Sequence, residues 1–194
     1  MDVLPKSDTE RQATRGRHDV PWKTDRVWRL DRLDGDSWQR LRDVRLRALA
    51  DEPDAFGSSS QRETVYQQPD WRRLLEWGPW WVAIVDGIDV GIVAGGSHRE
   101  EDVPWVFSMW VDPLWRGRGV ADSLLDAVVA WAEQQGATRL GLDVADRVPR
   151  ARRFYERYGF VDAQRTFTMP REPTITLVEM YLDLRRQPED ASST

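Results

Sequence analysis

The chain has 194 residues, 40% of them hydrophobic, which suits one substantial core and is short for two ordinary domains. It contains no cysteine, so disulfides, cysteine-ligated metals and an enzyme-borne catalytic thiol are excluded, and its two histidines, His18 and His98, form no metal-ligand spacing. Lys and Arg number 28 against 33 Asp and Glu, for a formal charge of −5, which argues against a large nucleic-acid footprint and favours a cationic small partner.

Residues 1–21 are charged and aperiodic, unlike an apolar leader, and 186–194 share that character, so both are expected to be disordered tails around a folded unit of 22–185. No stretch reaches the roughly 18 apolar residues of a membrane span, and a cytoplasmic location is expected. Arg26 to Asp31 alternates as a half-buried strand, and Asp34-Gly35 supplies a turn. Asp36 or Ser37 is the expected cap of a helix whose buried stripe is Leu41, Val44 and Ala48 and which Pro53 halts. A second helical stretch runs from Arg62 to Glu76 with an interruption at Pro69, and Gly78-Pro79 ends it.

Three strands follow as an antiparallel meander: Trp80 to Val85, a turn at Asp86-Gly87, Val90 to Gly95, a charged loop, and Trp105 to Val111. Gly119 to Gln134 is the clearest helix, with Val120, Leu124, Val128 and Trp131 on one face and Gly136 as its stop. Leu140 to Val144 is a strand, Pro149 to Tyr158 a helix stopped by Gly159, and 160–168 and 174–183 are closing strands. The order gives a mixed α/β layer without internal repeats.

Arg116-Gly117-Arg118-Gly119-Val120-Ala121 stands between a strand and that clearest helix. Backbone N–H groups converge there on a helix N-terminus, which is an anion site, and the glycines let a phosphate oxygen approach the main chain. An ATP loop would need a lysine and a hydroxyl residue that are missing, and the dinucleotide fingerprint would need a glycine where Asp122 stands.

The flanks narrow the choice. Ser108-Met109-Trp110-Val111-Asp112-Pro113 before Arg116-x-x-Gly119-x-Ala121, and Ala151 to Phe160 after the next strand, resemble the two signatures of the GCN5-related N-acetyltransferase (GNAT) superfamily. Val148 stands where the second signature has asparagine.

The resemblance implies the GNAT acyl-CoA N-acyltransferase fold, a central, mostly antiparallel twisted sheet splayed at the cofactor site and flanked by about four helices. It implies acetyl-CoA as co-substrate, with no metal, and direct acetyl transfer to a primary amine in a ternary complex. It assigns donor binding to Met109, Trp110, Val111, Arg116, Gly117, Arg118, Gly119, Val120 and Ala121, and the proton donor to Tyr155. Acceptor contacts are expected from Phe56, Glu63, Trp71 and Glu101, and the base is left open among His98, Glu63, Glu100, Glu101, Asp102, Asp143 and a water chain. A small-molecule amine is the expected partner, with no nucleic acid or membrane, and the assembly is a monomer or homodimer. A protein N-terminus or lysine is the alternative acceptor, and a silent acyl-CoA-binding domain the alternative function.

Overall fold

A computed structural model describes residues 27–97 and 103–185. Strand β1 (Arg29–Leu33) leads through a 3-10 turn into helix α1 (Trp38–Asp51), followed by the single turn α2 (Ser60–Glu63) and helix α3 (Gln68–Trp77). Strands β2 (Trp80–Val85), β3 (Ile88–Ser97) and β4 (Pro104–Val111) form the meander, helix α4 (Val120–Gln134) follows, and then β5 (Arg139–Ala145), α5 (Pro149–Tyr158), β6 (Val161–Met169) and β7 (Glu172–Asp183).

The seven strands form one sheet in the order β1-β2-β3-β4-β5-β7-β6, antiparallel at every contact except β4 with β5. Its two faces are covered by different helices. Leu41, Val44, Ala48 and Leu49 of α1 and Trp71 of α3 pack with Val82, Ile84, Ile92 and Ala94 on one face. Val120, Leu124, Leu125 and Val128 of α4 pack with Ala83, Val85, Val90 and Val93 on the other. Burial on both sides explains why β2 and β3 read as continuous apolar runs instead of alternating ones.

Three local features differ from the sequence-based expectation. The first strand begins at Arg29. The helix start is capped by neither Asp36 nor Ser37: the Asp34 carboxylate accepts from the backbone N–H groups of Asp36 and Ser37 because the intervening 3-10 turn moves the cap upstream. Pro69 does not interrupt a long helix but sits in the first turn of α3, where its missing N–H costs no hydrogen bond. Glu101, with the charged loop 98–102, lies outside the described residues, as do the two tails.

The sheet carries a bulge that positions the site. Ala94 pairs with Phe107 and Ile92 with Trp110, so Ser108 and Met109 together oppose Val93. The extra residue brings Phe107 and Trp110 to the α1 face, while Val106, Met109 and Val111 pack on the α4 face. Ser108 takes φ +58°, an uncommon conformation for a residue with a side chain.

Candidate functional site

Strands β4 and β5 share a single register pair, Trp105 with Gly141. Beyond it they part: β4 continues on β3 to Val111, while β5 stays on β7 through Ala145. The gap opens into a cavity of about 780 Å³ lined by Met109, Trp110 and Val111 on one side and Val148, Ala151 and Tyr155 on the other. The loop that opens α4 forms its rim through Arg116, Gly117, Arg118, Gly119 and Ala121.

Why the loop holds its shape follows from its residues. Gly117 and Gly119 have φ of +73° and +86°, left-handed values that glycine adopts without a Cβ penalty. A Cβ built on Gly117 meets none of the described residues within 4 Å. Gly119 is the residue before the first turn of α4, whose leading N–H groups have no acceptor within the helix. The rim therefore combines an approachable backbone with the positive end of a 15-residue helix, and it suits a phosphate or diphosphate.

Arg116 is committed elsewhere. Its Nε donates to the Val111 carbonyl at 3.0 Å, and its Nη2 pairs with Asp51 and, at 3.4 Å, with Glu52. Glu52 also pairs with Arg150 at the start of α5, so the C-terminal end of α1 bridges the two arginine-bearing sides of the cavity. The guanidinium of Arg118 lies 5.0 Å from the Trp115 ring centroid. Val120 faces the core, 1% exposed, and is absent from the cavity wall.

Tyr155 is 7% exposed, on the cavity wall, with its ring edge-on to Phe154 at 5.2 Å and Phe160 at 5.6 Å. Burial pushes its phenol well above the ordinary tyrosine range, because the phenolate would lose its hydration. The group is a neutral O–H at physiological pH. Val148, at the position before α5, is 6% exposed and packs with Ala145, Met169 and Ile175.

The expected acceptor residues are distributed differently. Trp71 is 0% exposed and lies inside the α1 core with Tyr66 against its edge, because α3 turns that face toward α1; the structure removes it from the cleft. Phe56 is buried beneath the guanidinium of Arg45, 5.0 Å from its ring centroid. Glu63 accepts from Arg45 through both carboxylate oxygens, at 3.0 and 2.9 Å, with both residues buried, so it is an ion-pair member and not a free base. Asp143 faces Glu179 across β5 and β7, on the sheet face opposite Leu142 and Val144.

The sequence reading missed several cavity residues: Trp28, Glu52, Arg150, Phe154 and Arg157. Of these, Arg150, Phe154 and Arg157 fall at i, i+4 and i+7 on α5, a helical spacing that carries a signal. Trp28 and Glu52 reach the cleft only through the tertiary fold. Among the described residues no group of three or more His, Asp or Glu is placed to hold a metal ion, and no helix is long and apolar enough to cross a membrane.

Comparison with known proteins identifies the family and the fold. N-acetylaspartate synthetase of Rattus norvegicus is 35% identical over 80 residues, which cover 41% of this chain and 27% of that protein. The Danio rerio protein of the same name is 29% identical over 107 residues, covering 54% of this chain and 38% of its own length. The matched stretch thus spans well under half of the curated relatives' length. YncA of Salmonella typhimurium, solved with its cofactor acetyl-CoA, has a TM-score of 0.67 at 16% identity, covering 86% of this chain and 100% of that one. An N-acetyltransferase from Staphylococcus aureus Mu50 has a TM-score of 0.67 at 18% identity, covering 81% and 99%. Both show the same fold. The acetyltransferase (GNAT) family model matches residues 42–160, more than half of the chain and both signature regions, and the chain belongs to that family.

Proposed function

We propose that the chain transfers an acetyl group from acetyl-CoA to a primary amine on a small molecule, by direct attack in a ternary complex. The observation that carries this reading is the single-pair junction of β4 and β5, which opens a cleft ending at a glycine-rich helix N-terminus and walled by Tyr155. Family membership supports acetyl-CoA as the donor, which would supply the acetyl thioester.

Gly117, Gly119 and the first amides of α4 would hold the diphosphate. Among the described residues the edge of β4 from Val106 to Val111 has no partner strand on its β5 side beyond Trp105, and its main chain would bond the extended donor arm as an added strand does. A backbone N–H at the Ser108–Met109 bulge would polarise the acyl oxygen. As the amine nitrogen bonds to the acyl carbon, the carbon–sulfur bond breaks and the leaving thiolate takes a hydrogen bond or the proton from the Tyr155 phenol, which burial holds neutral and which solvent reprotonates after any transfer. The amine's own proton leaves to solvent or to a carboxylate other than Glu63.

The acceptor is read from the relatives. The name N-acetylaspartate synthetase describes acetylation of a small amino acid in those proteins, which favours a small α-amine here over a protein. The test pairs calorimetry with thiol release: acetyl-CoA binds, and an amine panel containing aspartate, other amino acids, polyamines and N-terminal peptides identifies a small-molecule acceptor. Absence of acetyl-CoA binding at millimolar concentration overturns the enzyme reading. Binding without turnover of any amine gives the ground to a silent acyl-CoA-binding domain.

A further inference from the structure

Arg45 is a charged residue in the buried stripe of α1, 8% exposed, and three of its nitrogens are engaged. Nε and Nη2 donate to Glu63 of α2, and Nη1 donates to the Ser108 hydroxyl at 2.8 Å. The guanidinium carbon lies over the ring of Phe56, in the loop between α1 and α2, whose carbonyl accepts from Arg171 at 2.9 Å. One side chain therefore ties α1, α2, the loop between them and the β4 bulge into a single unit.

The expense of this arrangement points past simple stability. A buried ion pair is often no more stabilising than apolar residues of equal volume, and α1 has neighbours such as Leu41, Val44 and Leu49 that show what an apolar stripe would look like here. The position that Arg45 grips is also strained: Ser108 has a side chain at φ +58°. Such a conformation persists where surrounding groups over-determine it. Arg45 is the group seen to hold the Ser108 side chain.

We infer that Arg45, oriented by Glu63, is a positioning residue that holds the Ser108–Met109 bulge in the register presenting Met109 to the cleft. The inference rests on the acetyl-transfer reading for its effect on rate, but the effect on the bulge is independent of it. Arg45 acts through Ser108 and touches neither donor nor acceptor. Loss of the grip lets the bulge slide, and a misplaced polarising group loses rate while donor affinity, spread over the α4 rim, is kept.

The experiment uses the full chain labelled with ¹⁵N-methionine, which has only Met1, Met109, Met169 and Met180 to report. The Met109 amide is assigned by its loss in Met109→Leu. Arg45→Lys keeps the charge but loses the fork, and Ser108→Ala removes only the hydroxyl. In both, the Met109 amide peak is expected to move while those of Met169, in another core cluster, and Met180, buried on β7, stay in place and report an intact fold. The kcat falls about tenfold in each, acetyl-CoA Kd stays within about twofold, and the double variant is no worse than Arg45→Lys alone, as expected for one coupled path.

A Met109 peak unmoved in Arg45→Lys overturns the proposal, as do additive rate losses in the double variant. If the unsubstituted protein acetylates no amine, the acetyl-transfer reading fails, and the Met109 peak still decides whether Arg45 sets the bulge.

Discussion

Trp105 and Gly141 meet as the register pair joining β4 to β5, with the Trp105 ring in the space that a side chain on residue 141 would need. A Cβ built on Gly141 lies 2.8–3.0 Å from three atoms of that ring, and Trp105 is 1% exposed with Tyr181 packed edge-on at 5.8 Å. The strands begin to part where this contact ends.

Gly141→Ala is therefore expected to cost about 1–3 kcal/mol, since the ring has little room to yield. Urea unfolding measures the loss. The same substitution pushes at the hinge of the splay, so acetyl-CoA affinity should drop as well. Unchanged stability with unchanged affinity would show that the ring relocates freely and that the junction does not set the cleft.

At the other end of the cleft, Gly117→Ala separates conformation from crowding. Its Cβ meets none of the described residues within 4 Å, yet φ is +73°, so the folded state pays about 1–2 kcal/mol from backbone strain alone. The added methyl also narrows the approach to the loop amides. Donor affinity should fall by more than the stability loss explains, read by calorimetry under conditions where the variant stays folded. Affinity equal to that of the unsubstituted protein would remove the loop from the diphosphate site.

Much of this architecture is legible in the sequence where a local rule decides it. The stripe Leu41, Val44 and Ala48 follows from helical period, the Asp86-Gly87 turn from its residues, and the span of α5 from Pro149 at its start and Gly159 at φ +119° after its end. Features decided by distant partners are not legible. Ser108 at positive φ has no glycine to mark it, nothing local pairs Arg45 with Glu63 18 positions on, and Trp71 reads as a cleft aromatic until α3 folds it under α1. In the site, the glycines and Tyr155 carry local signatures, whereas the Glu52 bridge to Arg150 exists only after α1 and α5 converge.

Glu63 illustrates the difference in energetic terms. Glu63→Ala leaves the Arg45 guanidinium buried without its carboxylate, which should cost about 3–5 kcal/mol, whereas Glu63→Gln keeps one acceptor and should cost less. Because Glu63 is engaged as an ion-pair partner, Glu63→Gln should preserve the acidic limb of the kcat/KM–pH profile. Disappearance of that limb would reinstate Glu63 as the base.

Tyr155 ties pH to both rate and stability. Its phenol is raised by burial, and that of Tyr158 is raised by burial and then by its bond to Asp126 at 2.7 Å. An unfolded tyrosine titrates near about 10, so above that pH the unfolded chain binds fewer protons than the native one and stability falls as pH rises. The stabilising contribution is complete below about pH 10. Thermal unfolding of Tyr155→Phe should accordingly show a shallower alkaline decline than the unsubstituted protein. For turnover, the proton stays on Tyr155 through neutral and mildly alkaline pH, so its role as donor predicts no loss of kcat from its ionisation below about pH 10, and Tyr155→Phe should lower kcat by about 10²-fold or more with little change in acetyl-CoA Kd. A kcat within twofold of the unsubstituted protein across that range would reduce Tyr155 to a packing residue between Phe154 and Phe160.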